Sequence, residues 1–191
     1  MGKNRLEAFS DGVLAIVITI MVLELRVPHD TTLTALQPLW GVFLSYVLSF
    51  VYLGIYWNNH HHMLYTVHIV TGGMLWANLH LLFWLSLVPF VTGWMGENDF
   101  APLPTAAYGV VLLMAAMAYW NLQRLIIRSQ GPNSLLRQAV GGDWKGTVSP
   151  LLYAIGIVAA LFAPYLAGAI YALVAAIWLV PDKRIERFVR D

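Results

Sequence analysis

The chain has 191 residues, 59% hydrophobic and 11% charged, with a formal net charge of +1 and a mean hydropathy of +0.67. A soluble domain carries about 25% charged residues, so this deficit, with several apolar stretches of membrane-spanning length, points to a polytopic membrane protein. The small net charge offers no bulk attraction to nucleic acid, and the lack of cysteine excludes disulfides, thiolate catalysis, iron–sulfur clusters and cysteine-ligated zinc.

Phe9-Ser10-Asp11-Gly12 stands at the mouth of the first apolar run, Val13 to Leu23, with Arg5 upstream. A carboxylate at membrane depth costs about 2.5–3.5 kcal/mol on insertion scales, so Asp11 is expected to face protein or water. Glu7 and Asp11 precede the run and no small-residue cleavage site follows it, which argues against a cleavable signal peptide. At about 100° per residue, Phe9, Gly12, Ile16, Ile20, Leu23 and Val27 share a narrow arc, with Thr19 on its border. Asp11 points the opposite way, and Ser10 and Glu24 lie off the arc. The plain reading of the stripe is ordinary packing or a lipid-facing surface. A lipid-facing helix, however, gains nothing from Arg5, Ser10 and Asp11 at its start.

Six transmembrane helices are expected, over 5–27, 36–57, 67–91, 104–127, 147–162 and 163–180, as one all-α domain spanning 1–191. The second span ends in Asn58-Asn59-His60-His61-His62. Consecutive imidazoles on a helix point in different directions, so no metal site is expected there. In the third span, His68, Asn78 and His80 are read as interhelical hydrogen-bonding groups, with a water-filled path as the sharper alternative. Gly131-Pro132-Asn133 opens the one sizeable hydrophilic loop, 128–145. The last two spans are short and meet at Pro164, which predicts a tight hairpin, and their Leu, Ala and Gly content predicts close packing. Arg184, Arg187 and Arg190 form a basic tail suited to anionic headgroups.

Orientation follows from the basic residues. Six spans put both termini on one side, with Lys3, Arg5, Arg124, Arg128, Arg137, Lys145, Lys183, Arg184, Arg187 and Arg190; of the eleven lysines and arginines only Arg26 lies opposite, beside Glu24. Cytoplasmic termini in a cell membrane are therefore expected. Trp40, Trp57, Trp94, Trp120, Trp144 and Trp178 fall near the expected interfaces. Glu24 and Arg26 flank the outer mouth, either collecting cations or anchoring the helix end.

The pattern Arg5-x-x-x-Phe9-Ser10-Asp11-Gly12, then Ala15-Ile16-x-x-Thr19-Ile20-x-x-Leu23-Glu24 and Pro28, resembles the first-helix signature of the TMEM175 family. The signature covers about 24 contiguous residues, and the six-span plan covers the whole chain. In the family's bacterial branch, four six-helix chains assemble a potassium-permeable leak channel. One such motif is present and spans four to six hold none, so the resemblance implies a homotetramer with K⁺ as permeant ion and membrane lipids as surroundings. It also implies that the first helix lines the pore. Ile16, Ile20 and Leu23 would form three hydrophobic layers, Ile16 the tightest, with Thr19 hydroxyls beside it. Arg5, Phe9, Ser10 and Asp11, joined by a second-span histidine (His61), would form a structural polar network.

No carbonyl filter of the TVGYG type is present, so the expected constriction is an apolar collar that gates by dewetting. Potassium sheds water more readily than sodium, which predicts a modest potassium preference. An embedded enzyme would need paired carboxylates or a metal set at one depth. Asp11 and Glu24 instead sit near opposite ends of one helix, so no enzyme and no cofactor is expected. A secondary transporter, which usually shows repeats and broken helices, and a non-conducting scaffold are the competing functions.

Overall fold

The computed structural model describes residues 2–131, 134–141 and 144–179. Among these, all regular structure is helical: α1 (Lys3–Met21), α2 (Trp40–Tyr65), α3 (Gly72–Ser86), α4 (Val88–Glu97), α5 (Pro102–Gln130), α6 (Leu135–Val140), α7 (Trp144–Ala160) and α8 (Pro164–Leu179). Short 3₁₀ segments, Val22–Glu24 and Leu33–Leu39, extend α1 and precede α2. Lys183, Arg184, Arg187 and Arg190 lie outside the described residues.

Four helical stretches are long and apolar enough to cross a membrane: Lys3–Glu24, Leu33–Tyr65, Gly72–Glu97 and Pro102–Gln130. The apolar helices α7 and α8, of 17 and 16 residues, are each about 25 Å long at 1.5 Å per residue, a little short of a ~30 Å hydrocarbon core. Residues 161–163 join them, and Pro164 opens α8 as the expected hairpin, its fixed φ and missing N–H suiting a first helical position.

The structure moves several boundaries. The second span does not stop at Trp57 but runs two further turns to Tyr65, because the histidine cluster continues the helix. The third span does not begin at Val67; Thr71 caps α3 by accepting from the Met74 N–H, and His68 lies in the preceding linker. Leu87 breaks this span into α3 and α4 two residues before Pro89. A proline lacks the N–H for the i−4 bond, and its ring crowds the carbonyl there. Val27 falls beyond the 3₁₀ turn that ends α1 and so leaves the helical arc.

In a bilayer, lipid is as apolar as leucine, so helices associate through close packing and interhelical hydrogen bonds. α5 is the hub, burying Tyr108, Leu112, Ala115, Ala118, Leu122 and Ile126 against α3, α4 and α7. Its Gly109 faces the ring of Tyr171 on α8, as does Gly156 on α7. Glycine thus makes room for one tyrosine where α5, α7 and α8 meet, while Gly168 on α8 has open space around it. Gly96 of α4 lies on the α2 backbone; an added Cβ would stand 2.7 Å from the Val42 Cα. Beside it, the Ser49 hydroxyl pairs with Thr92 at 2.6 Å and with Tyr108 at 2.9 Å, tying α2, α4 and α5 together.

The bundle has two chemically distinct ends. Lys3 Nζ donates to the Tyr65 carbonyl and Gln130 Nε2 to that of Thr66, so the α1 start and the α2 and α5 ends share one side. At the other end Arg26 pairs with Glu97 at 2.9 Å, which ties the α1 exit to α4.

Candidate functional site

α1 divides into two halves. Leu6, Ser10, Leu14, Val17 and Met21 are buried and recur at helical spacing, so they form the stripe that packs on α2, α3 and α4. The other half is exposed within the chain, although Trp57 of α2 reaches Asp11 at its edge. Ile16, Ile20 and Leu23 are 58%, 44% and 78% exposed, and Arg5, Phe9, Asp11, Gly12, Ala15 and Thr19 lie on the same uncovered half. A membrane helix with a carboxylate, a guanidinium and a hydroxyl on its open half is poorly suited to lipid.

Ser10 anchors the helix. Its hydroxyl donates to the Leu6 carbonyl at 2.9 Å and accepts from the Asn78 amide of α3 at 2.9 Å. Asn78 Oδ1 in turn lies 2.7 Å from His60 Nε2 of α2. All three residues are buried. The chain Ser10–Asn78–His60 therefore clamps three helices with paired polar groups, which is how a buried polar cluster avoids a desolvation penalty. Asn78 is interhelical, as its place in an apolar span suggests.

Asp11 leaves α1 on another side, where Trp57 Nε1 donates to its Oδ1 at 3.1 Å. The Trp57 ring stacks on His61, with centroids 6.4 Å apart. Asp11, Trp57 and His61 thus form a second, more exposed contact between α1 and α2. The histidine hydrogen-bonded into the Ser10 cluster is His60, whereas His61 meets the network only through the Trp57 ring. One residue turns a helix by about 100°, and that rotation directs His60 inward and His61 outward. Trp57 sits inside α2 as an anchor for Asp11 rather than at a helix end. The Arg5 guanidinium makes no hydrogen bond or ion pair with the described residues.

Thr19 Oγ1 donates back to its own helix, to the Ala15 and Ile16 carbonyls at 2.9 and 3.0 Å. Its oxygen lone pairs remain on the open face beside Ile16 and Ile20. Leu23 belongs to the 3₁₀ turn, so its direction follows that tighter winding. Glu24 lies against Gly93 of α4, and Arg26 is held by Glu97, so the two charges are committed to helix-end contacts. His80 accepts from Trp84 Nε1 within α3 at 2.9 Å. Among the described residues no group of three or more histidine, aspartate or glutamate side chains is placed to hold a metal ion. The Ser10–Asn78–His60 cluster was reachable from sequence only as three polar residues in apolar spans, because their pairing depends on the relative rotation of three helices.

Residues 5–89, which contain α1 from Arg5 onward and both polar contacts, match the family profile described as endosomal/lysosomal potassium channel TMEM175. A potassium channel of Chryseobacterium sp. (strain P1-3) is 55% identical over 191 residues, 100% of each chain. A potassium channel of Streptomyces collinus is 34% identical over 134 residues, covering 64% of this chain and 65% of its own. The crystal structure of a lysosomal potassium-selective channel TMEM175 homolog from Chamaesiphon minutus superposes with a TM-score of 0.83 at 26% identity, covering 94% of this chain and 97% of that one.

Proposed function

The chain belongs to the TMEM175 family, and from that premise we propose that it is a homotetrameric, potassium-permeable leak channel whose pore is lined by α1. The observation that carries this reading is the uncovered half of α1. It holds an aliphatic ladder next to polar groups, on a helix otherwise clamped to α2 and α3 through Ser10 and Asp11. Four copies around an axis would turn Ile16, Ile20 and Leu23 toward one another and place Arg5, Phe9 and Asp11 near subunit boundaries.

In that arrangement the ladder is an apolar collar that passes ions by partial dehydration and closes by dewetting. Ile16 is its narrowest layer, and the lone pairs of Thr19 offer partial replacement for lost water. Selectivity for potassium over sodium is then modest, since an aliphatic collar supplies no oxygen cage. The basic end of the bundle faces the cytoplasm, with both termini there, under the rule that lysine and arginine stay inside.

The test is valinomycin-controlled potassium flux from liposomes carrying the purified protein, run against a sodium gradient beside Ile16→Asn. The native chain is expected to favour potassium, and the variant to conduct more and discriminate less. Native-like flux and reversal potential in the variant would remove Ile16 from the constriction. An absence of flux from well-folded protein would favour the transporter or scaffold alternatives.

A further inference from the structure

Away from α1, a cavity of about 50 Å³, partly open to the surface, lies between α2, α5, α7 and α8. Its wall is mostly aromatic, with Tyr56 of α2, Tyr119 and Trp120 of α5, Tyr153 of α7 and Trp178 of α8. The Tyr56 and Tyr119 rings meet edge to face, their centroids 6.1 Å apart. Several polar groups of the wall are partnered. Trp178 Nε1 donates to the Ser149 hydroxyl at 2.8 Å, and that hydroxyl donates to the Lys145 carbonyl at 2.7 Å. The Asn59 amide donates to the Ile55 carbonyl at 2.8 Å. Two others are open. The Gln123 side-chain amide, on a residue 7% exposed, and the Tyr56 hydroxyl, on a residue 9% exposed, make no hydrogen bond to the described residues.

Buried polar groups normally have a protein or water partner, and leaving one unmade is costly. Size selects the partner here. A volume of about 50 Å³ is far below the roughly 300–1,000 Å³ of small-molecule sites, and it matches one or two waters at about 30 Å³ each. The wall carries no charged side chain among the described residues, which disfavours an ion. We propose that this cavity is a hydration site, in which ordered water bridges the Gln123 amide to the Tyr56 hydroxyl and so ties α5 to α2. An amide and a phenol each both donate and accept, so one or two waters satisfy the pair. Tyr56 and Gln123 stand about two to three helical turns from Tyr65 and Gln130, at the bundle end shared by α2 and α5, which gives the water a short route to the aqueous side. The site is built from α2, α5, α7 and α8, so the inference does not rest on α1 lining a pore.

Two measurements on the full chain test it. Electron density of the native protein, at a resolution that shows ordered water, should place a peak about 2.7–3.2 Å from the nearest polar atom of each group. Thermal midpoints in detergent should follow a non-additive cycle. Gln123→Leu and Tyr56→Phe should each lower the midpoint by about 2–4 °C, and the double variant should fall no further than the larger single loss, because removing either group releases the shared water. Additive losses, or unchanged midpoints in both single variants, overturn the bridge. So does density in which both side chains are ordered with nothing between them, or in which they contact each other directly. Elongated density from a lipid or detergent chain in the cavity overturns water as the occupant.

Discussion

Asn78 joins Ser10 of α1 to His60 of α2 through two hydrogen bonds of one buried cluster. Asn78→Leu keeps the approximate volume but strands the His60 ring nitrogen on a residue 2% exposed, while Ser10 keeps its bond to the Leu6 carbonyl. A buried group left without its partner costs about 1–3 kcal/mol, so this variant is expected to lose stability in that range, read as a fall in thermal midpoint in detergent. Ser10→Ala, which leaves the Asn78–His60 pair intact, should lose less. Equal midpoints for native and Asn78→Leu would show that the cluster contributes nothing to folding. The histidine run illustrates the limits of sequence at this scale: three adjacent imidazoles are chemically alike, and only the seating of α2 separates His60 from His61.

At the scale of elements, small residues set how closely the helices approach. Gly41 and Gly96 let α2 and α4 meet at their backbones, and the Ser49–Thr92 pair lies farther along the same interface. Gly96→Ala would bring a methyl group within 2.7 Å of the Val42 Cα, a backbone atom that cannot rotate away. It should therefore force α4 outward and lower stability by about 1–3 kcal/mol, as overpacking does. The comparison substitution, Gly12→Ala, meets no atom within 4 Å in the chain and should be neutral for folding of a single subunit. A similar midpoint loss in both variants would contradict the close α2–α4 approach. The break at Leu87 belongs to this scale too: it divides the third span so that α3 packs on α1 and α5 while α4 reaches α2.

At the scale of the whole molecule, the proposed tetramer accounts for the exposed half of α1. A homotetramer predicts a particle of four times 21.4 kDa by light scattering after subtraction of detergent. The lack of native cysteine makes the proposed pore face directly testable. In liposome flux, Ile20→Cys and Leu23→Cys should be blocked by added Cd²⁺, whereas Leu14→Cys, on the buried stripe, should not. Block at Leu14 and indifference at Ile20 and Leu23 would assign the conduction path to a different face.

Sequence alone determined the class of this protein and the character of its first helix. Hydropathy over helical lengths reports the cost of moving backbone and side chains into lipid, a local sum needing no knowledge of neighbours. For the same reason the FSD signature, the aliphatic arc and the asymmetry of basic residues were legible before any fold. The tertiary structure decided what depends on the rotation and depth of one helix against another. It chose His60 over His61 as the partner in the Ser10 cluster, paired the Trp57 indole with the Asp11 carboxylate, and ended the arc before Val27. It also brought Tyr56, Gln123, Trp120 and Trp178 from three helices around one cavity. Such pairings are set by packing between residues distant in the chain, and a periodicity along one helix contains no information about the angle at which the next one crosses it.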